Sequence, residues 1–133
     1  MFNMEFKSSF KVYYEDTDSG GVVYYANYLK FLERARSDAI TSLGFGNNKL
    51  KEKFGIYIIV KSCNLNFLKP AKLEDNLKII SKVSEVKNVS IKMRQNIFVN
   101  EIKITEAEIL LASINREGKP SKLPDVLKNQ LIK

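Results

Sequence analysis

Five segments rich in apolar residues are predicted β-strands, with alternation that is partial in the first, follows an apolar run in the second and gives mixed faces in the last. The first segment covers residues 6–14, "FKSSFKVYY". The second segment covers residues 56–68, and the third contains Leu77, Ile79 and Val83. The fourth places Val89, Ile91, Met93, Ile97 and Val99 on one face, and the fifth covers residues 102–114. The connections near 86–88 and 100–101 have the length of antiparallel hairpins, so we expect the four later strands to form a meander.

Between the first strand and the others, apolar residues recur every three or four positions. The positions are Tyr28, Leu32, Ala35, Ala39 and Leu43, with Phe31 and Ile40 widening the stripe. This spacing predicts an amphipathic helix of about four to five turns. Asn27 is expected to cap its start, because an asparagine oxygen can accept from a free amide of the first turn, and Gly44 is expected to follow its end.

The order of these elements predicts an α+β domain over residues 1–133, with an antiparallel sheet of about five strands wrapped around one long helix. A short helix is expected in the tail, with Val126, Leu127 and Leu131 inward. One helix covers only part of the sheet, and an open sheet has two edges. Pairing between subunits, by an edge or a helix face, is therefore expected.

The composition predicts where the protein is located and limits the groups that it can use for catalysis. The chain has 44% apolar and 28% charged residues, and it lacks both a long apolar run and the apolar core of a signal peptide, so we expect a soluble cytoplasmic protein that does not span a membrane. There is no histidine and one cysteine, Cys63, which is expected to be buried. Zinc sites and Ser-His or Cys-His pairs are disfavoured, so catalysis must use carboxylates, lysines, tyrosines or backbone dipoles.

The net charge of +7 would attract a polyanion such as nucleic acid, anionic lipid or coenzyme A. Lysines that only solvate the surface are the alternative. The sequence contains no nucleic-acid-binding motif, so no specific nucleic acid is expected.

The stretch "EDTDSGG", residues 15–21, lies between the first strand and the long helix. It fails as a calcium loop, because Gly20 and Asn27 stand where an oxygen ligand and a bidentate glutamate are needed. It could be a simple acidic turn. It could also be an active site, since the free amides of a helix N-terminus stabilise an oxyanion and Gly20 and Gly21 leave room for a thioester beside a carboxylate.

The longer stretch "YYEDTDSGGVVYYANYLKFLERAR" resembles the signature of the 4-hydroxybenzoyl-CoA thioesterase family of hotdog-fold proteins. It is most similar to the bacterial acyl-CoA thioesterase branch associated with the Tol-Pal envelope system. "LNFLKPAKLED" and the "GKP" of the tail resemble family segments at corresponding places. The resemblance implies a hotdog fold and hydrolysis of acyl-CoA to a free acid and coenzyme A, without a metal or other cofactor.

The resemblance also assigns residues. Asp18 matches the catalytic carboxylate, acting as nucleophile or general base, and the backbone amides of Tyr24 and Tyr25 match the groups that polarise the thioester carbonyl. Asp16 is expected to shape the loop with the glycines, and Glu15 to be solvated at the strand end. Many members of this branch have histidine where this chain has Tyr25, which leaves the contribution of that side chain open.

Lys119, Ser121 and Lys122 are the predicted coenzyme A contacts, ahead of Lys69 and Lys72, and Asn27 is a second candidate substrate contact. Glu33 is expected to form an ion pair with Arg34 or Arg36. The resemblance further implies a homodimer, with a homotetramer left open, and acyl carrier protein as a candidate partner. The alternative function is a weakly active or inactive hotdog scaffold that binds acyl carrier protein or lipid-synthesis and envelope partners.

Overall fold

All five predicted strands are present in one antiparallel sheet in the computed structural model, which describes residues 4–132. The strands are β1 (Glu5–Lys11), β2 (Tyr57–Phe67), β3 (Asn76–Val86), β4 (Ser90–Val99) and β5 (Ile102–Ile114). The helices are α1 (Asn27–Ser42), a short α2 (Asn47–Lys49) that continues as a π-helical turn (Leu50–Phe54), and α3 (Asp125–Ile132). The predicted α+β class is confirmed. The single domain over residues 1–133 stays a prediction, and residues 1–3 and 133 lie outside the described residues.

The strand order is β1-β3-β4-β5-β2, so the predicted meander of the four later strands is wrong. Strands β3, β4 and β5 do follow one another through the two predicted hairpins. Strand β2 instead pairs with β5, with Cys63 opposite Ile109, and β3 pairs with β1. Strands β1 and β2 are therefore the two edges of the sheet.

Helix α1 packs on one face of the sheet, called the inner face below, and the core lies between them. Its buried residues are Tyr28, Phe31, Leu32, Ala35, Ala39 and Ile40. The sheet contributes Leu77, Ile79, Val83, Ile91, Met93, Ile97, Ile109 and Leu111. Each of the larger side chains among them, Val, Leu, Ile, Phe or Met, contributes roughly 1.5 to 3 kcal/mol on burial. The helix ends one residue before the predicted position, and Gly44 follows in a left-handed conformation at φ 87°, as expected.

A fully buried polar residue, Gln95 of β4, ties α1 to the sheet. Its Nε2 donates to the carbonyl oxygen of Leu32 and to Oγ of Ser81, both at 3.0 Å, and its Oε1 accepts from Nη1 of Arg36 at 2.9 Å. Burial lowers the pKa of Arg36 from its ordinary value. Because a buried amide is tolerated only when it is hydrogen-bonded, this network fixes the position of α1, and with it the N-terminus of the helix.

Three local expectations are wrong. Strand β1 ends at Lys11 and not at residue 14, because residues Tyr14–Asp16 form a 3-10 turn. Val126 of α3 is exposed, while Leu127 and Leu131 are buried as expected. Cys63 is exposed, and it lies on β2, an edge strand of the sheet. No helix among residues 4–132 is both long and apolar enough to cross a membrane.

Candidate active site

The segment between β1 and α1, residues 13–26, is called the acid loop. It is held by short stretches of backbone pairing, with Thr17 bridged to Val23 and Val22 bridged to Lys72. The N–H of Val23 also donates to the carbonyl oxygen of Ala71 at 2.8 Å. The acid loop is therefore anchored to the segment that connects β2 with β3.

Asp16 is buried and fixes the acid loop from within. Its Oδ2 accepts from the N–H of Tyr13 at 2.9 Å, and its Oδ1 lies 3.7 Å from Nζ of Lys30. Its carbonyl oxygen accepts from the N–H of Tyr24 at 3.0 Å and from Nδ2 of Asn27 at 2.9 Å. These bonds join both ends of the loop to one residue, which is the arrangement expected of a loop-shaping aspartate.

Asp18 is exposed on the same loop. Its Oδ1 accepts from the N–H of Gly20 at 2.8 Å, and among residues 4–132 no donor bonds to its Oδ2. A Cβ atom at Gly20 would lie 3.2 Å from Oδ1 of Asp18, and Gly21 adopts φ +81°, which strains other residues. Both glycines thus shape the loop around an accessible carboxylate.

The start of α1 supplies two free backbone amides. Among residues 4–132, the N–H groups of Tyr25 and Ala26 have no hydrogen-bond acceptor. The N–H of Tyr24, the other predicted oxyanion donor, is already engaged by Asp16. Free amides at a helix N-terminus carry the positive end of the helix dipole, so this position suits an oxyanion.

Asn27 does not cap α1, so that prediction is wrong. The cap position is Ala26, and no side chain bonds to the amides of the first turn. The side chain of Asn27 points back to the carbonyl oxygen of Asp16 because that acceptor lies within reach at 2.9 Å. Asn27 therefore links α1 to the acid loop, and its contact with a substrate stays a prediction.

An open groove of about 330 Å³ lies beside the free amides. It is lined by Val23, Tyr25, Tyr28, Phe67, Leu68, Lys69 and Pro70. The ring of Tyr28 packs 5.2 Å from that of Phe67, and its hydroxyl accepts from the N–H of Ala71 at 3.0 Å. Burial raises the pKa of Tyr28. Sequence reasoning missed Phe67 and Leu68 as lining residues of the groove, although two apolar residues at a strand end shortly before Pro70 were a usable signal.

Two aromatic side chains flank the amides. The rings of Tyr24 and Tyr25 lie 4.9 Å apart and both are exposed. Interaction with the Tyr25 hydroxyl raises the pKa of Tyr24 above its ordinary value. Tyr24 therefore stays protonated near neutral pH and can only donate or accept hydrogen bonds there.

The predicted coenzyme A contacts lie elsewhere. Pro120 is bridged to Ile114 of β5, and Ile114 pairs with Tyr57, the first residue of β2. The groove adjoins Phe67, the last residue of β2, and ten residues of strand span roughly 33 Å. Lys119, Ser121 and Lys122 are thus at the opposite end of the sheet from the acid loop of the same chain.

The described residues contain no cluster of three or more histidine, cysteine, aspartate or glutamate residues that could hold a metal.

A family model described as the thioesterase superfamily matches residues 20–105, from the acid loop to the start of β5. The chain belongs to the thioesterase superfamily. It is 36% identical over 129 residues to the acyl-CoA thioesterase YbgC of Haemophilus influenzae, a match that covers 96% of this chain and 95% of the relative.

Solved structures agree with the observed architecture. A probable thioesterase from Bartonella henselae has a TM-score of 0.84 at 36% identity, with 93% of this chain and 100% of the other covered. A 4-hydroxybenzoyl-CoA thioesterase has a TM-score of 0.89 at 19% identity, with 97% and 99% covered. The fold is therefore the hotdog fold, as the resemblance of the signature implied.

Proposed function

We propose that the protein hydrolyses acyl-CoA thioesters at the acid loop, with Asp18 as the catalytic carboxylate. One observation carries the proposal: a single loop delivers an exposed carboxylate with a free oxygen and the two free amides at the start of α1. The name of the Haemophilus influenzae relative, acyl-CoA thioesterase, supports the substrate class, since the two chains match over nearly their whole length.

Hydrolysis of the thioester needs hydrogen-bond donors for the carbonyl oxygen and a group that attacks the carbonyl carbon or activates a water for that attack. The N–H groups of Tyr25 and Ala26 would donate to the carbonyl oxygen, which becomes negative during attack. Asp18 either takes a proton from a water that attacks the carbonyl carbon or attacks that carbon itself. In the first case the C–S bond breaks, coenzyme A leaves as a thiolate, and the free acid forms directly. In the second case the same bond breaks and leaves the acyl group on Asp18 as an anhydride, which a water molecule then hydrolyses to the free acid and the Asp18 carboxylate. A thiolate leaves without a strong general acid, which suits a chain that has no histidine.

Tyr25 contributes through its backbone in this proposal. Its ring lines the groove and remains exposed beside Tyr24. We therefore propose that the Tyr25 side chain forms part of the wall of the groove and that Asp18 makes the proton transfers.

The proposal includes a homodimer formed by the β2 edges. Strand β2 is eleven residues long, and its exposed residues include Ile59, Val60 and Phe67. A long apolar edge strand is normally paired or covered, and pairing with a second copy would continue the sheet. Sedimentation analysis of Val60→Lys should show a weakened dimer, whereas Ser9→Lys on the opposite edge strand β1 should not. A dimer that both variants leave intact would contradict this assembly.

The decisive experiment is turnover of a panel of acyl-CoAs by the wild type, Asp18→Asn and Glu15→Gln. Asp18→Asn should lower kcat/KM by roughly a hundred- to ten-thousandfold, the usual contribution of a catalytic acid or base. Glu15→Gln is the matched control, because Glu15 is an exposed carboxylate of the same loop. A folded Asp18→Asn enzyme with full activity would refute the role of Asp18. Wild-type protein that cleaves no acyl thioester would favour the alternative of a binding scaffold.

A further inference from the structure

Lys69 supplies a positive charge to the groove beside the free amides. The other described residues of the lining are uncharged, with Tyr25 and Tyr28 at the start of α1 and Phe67 at the end of β2. Lys69 is exposed, and in the part of the chain that the structure describes no carboxylate lies within 4 Å of its ammonium group. The groove therefore contains a cation that no carboxylate of these residues neutralises.

The backbone at Lys69 is held on both sides. The N–H groups of Leu68 and Lys69 both donate to the carbonyl oxygen of Ile104, at 2.8 and 3.1 Å. Two residues further along the chain, the N–H of Ala71 donates to the Tyr28 hydroxyl at 3.0 Å. Because a proline follows, the backbone of Lys69 is also biased toward extended conformations. The side chain thus starts from a fixed point of the groove wall.

The pairing of the acid loop with this segment brings Lys69 opposite Tyr25. Val22 is bridged to Lys72 in the antiparallel sense. In antiparallel pairing each step forward on one segment is a step back on the other, so continuing this register aligns Tyr25 with Lys69. Both residues line the groove. The Lys69 side chain and the free N–H of Tyr25 therefore belong to opposite walls of one groove.

Thioester hydrolysis develops negative charge at two places. The carbonyl oxygen becomes negative during attack, and the N–H groups of Tyr25 and Ala26 are the proposed donors for it. The sulfur becomes negative when the C–S bond breaks, and the carboxylate of Asp18 would repel a thiolate. An ammonium group between apolar and aromatic walls suits this second charge, because surroundings that partly exclude water strengthen the attraction.

We propose that Lys69 is a further catalytic residue, whose ammonium group stabilises the sulfur of the departing coenzyme A. The C–S bond breaks, its electron pair stays on sulfur, and the ammonium group donates a hydrogen bond to the thiolate and keeps its proton. The inference rests on the proposed function, because it concerns the leaving group of that reaction. The sequence made Lys69 only a secondary candidate for contact with coenzyme A, and the inference gives it a role at the reacting atom.

The first test compares Lys69→Met with the wild type on three thioesters of one acyl group. The first thioester is acyl-CoA, and the second is the N-acetylcysteamine thioester, which has the same kind of alkyl thiolate but no phosphate. The third is the thiophenol thioester, whose aryl thiolate is stable without help. For both alkyl thioesters kcat/KM should fall at least about tenfold, the loss expected of a hydrogen bond to a charged group, and for the aryl thioester less than about threefold.

Other patterns in this test would overturn the inference. A loss confined to acyl-CoA would mean that Lys69 contacts the phosphates, and equal losses on all three thioesters would mean that it does not act at sulfur. No loss on any of them would leave Lys69 without a role in the reaction. If the wild type cleaves none of the three, the proposed function itself fails, and that result differs from a failure of Lys69 alone.

Lys69→Arg and Lys78→Met are the controls for the first test. Lys69→Arg keeps the charge in the groove, so its loss on the alkyl thioesters should stay below about threefold. Lys78 is exposed on β3 between the buried Leu77 and Ile79, so its side chain points away from α1. Lys78→Met removes the same charge outside the groove and should keep kcat/KM within about twofold. A Lys78→Met enzyme that shows the pattern of Lys69→Met would overturn the inference.

The second test measures how kcat/KM depends on the acidity of the leaving thiol. A series of alkyl and aryl thioesters of the same acyl group is hydrolysed by the wild type and by Lys69→Met. The dependence should be steeper in Lys69→Met, because the charge on sulfur is no longer stabilised by the ammonium group. A smaller folded fraction would lower every rate of the variant equally and leave the slope unchanged. Equal slopes in the two enzymes would overturn the inference.

Discussion

Asp16 and Asp18 stand two positions apart in one loop, yet they differ in burial and in the charge beside them. Asp16 is 3% exposed and its carboxylate lies near the Tyr13 amide and the Lys30 ammonium. Asp18 is exposed, and its one bond, from Gly20, leaves its second oxygen free. From this difference we predict that the D-x-D sequence divides stability and reactivity between its two carboxylates.

The two carboxylates are expected to differ in role because burial removes water from Asp16 and leaves Asp18 hydrated. A buried carboxylate is tolerated only when hydrogen bonds and nearby cations replace water, so Asp16 must keep its partners. An exposed carboxylate needs no such partners and can meet a substrate. The two roles can therefore be tested separately by substitutions at the two positions and at the glycines beside them.

The largest stability effect is expected for Asp16→Ala. Loss of the carboxylate leaves the N–H of Tyr13 without its acceptor and removes the charge nearest Lys30, so the free energy of unfolding should fall by about 1 to 3 kcal/mol. Asp18→Ala should change it by less than about 0.5 kcal/mol, because the residue is exposed. Urea denaturation measures both. Equal losses in the two variants would break the comparison.

Substitutions at Gly20 and Gly21 should separate the effect of the loop on stability from its effect on catalysis. Gly21→Ala should cost about 1 to 2 kcal/mol of stability, because an L-residue is strained at its φ of +81°. Gly20→Ala should instead mainly lower kcat, since its Cβ would lie 3.2 Å from Oδ1 of Asp18 and must displace the carboxylate. Thermal unfolding and steady-state kinetics distinguish them. A pattern in which Gly20→Ala unfolds the protein and keeps kcat would contradict this assignment.

The smallest effect is expected for Tyr25→Phe. The backbone N–H remains when the hydroxyl is lost, so kcat/KM should change by less than about threefold, equivalent to well under 1 kcal/mol. Steady-state kinetics with one acyl-CoA is sufficient. A loss of a hundredfold or more would show that the hydroxyl takes part in the chemistry and that the free amide is not the main contribution of Tyr25.

Much of the fold was predictable because local patterns determine it. The bounds of β5 follow from its composition and the short connection before it, the start of α1 follows from the change of period, and Gly44 lies just beyond the end of the helix. The strand order was not predictable in this way, because the partner of β2 is decided by contacts between distant segments. Cys63 alternates like a core residue, yet it is exposed on an edge strand, and the pattern cannot reveal which strand is at the edge.

The sequence indicated the candidate residues of the site better than it indicated the hydrogen bonds between them. The signature assigns Asp18 a catalytic role that stays a prediction. It could not show that the carbonyl oxygen of Asp16 already accepts from the Tyr24 amide or that Asn27 turns back to Asp16 and does not cap α1. Such bonds depend on which acceptor comes within 3 Å after folding. Gln95 carried a usable signal, since it is a polar residue at an inward position of β4.

The division of labour between the two aspartates is the central claim, and one paired measurement tests it most directly. Asp16→Asn and Asp18→Asn are compared for both the free energy of unfolding and kcat with a saturating acyl-CoA. The account predicts that Asp18→Asn keeps wild-type stability and loses at least about a hundredfold in kcat. Asp16→Asn should lose stability and keep kcat within about tenfold wherever it is folded. The reverse pattern, with catalysis lost at Asp16 and retained at Asp18, would contradict the account.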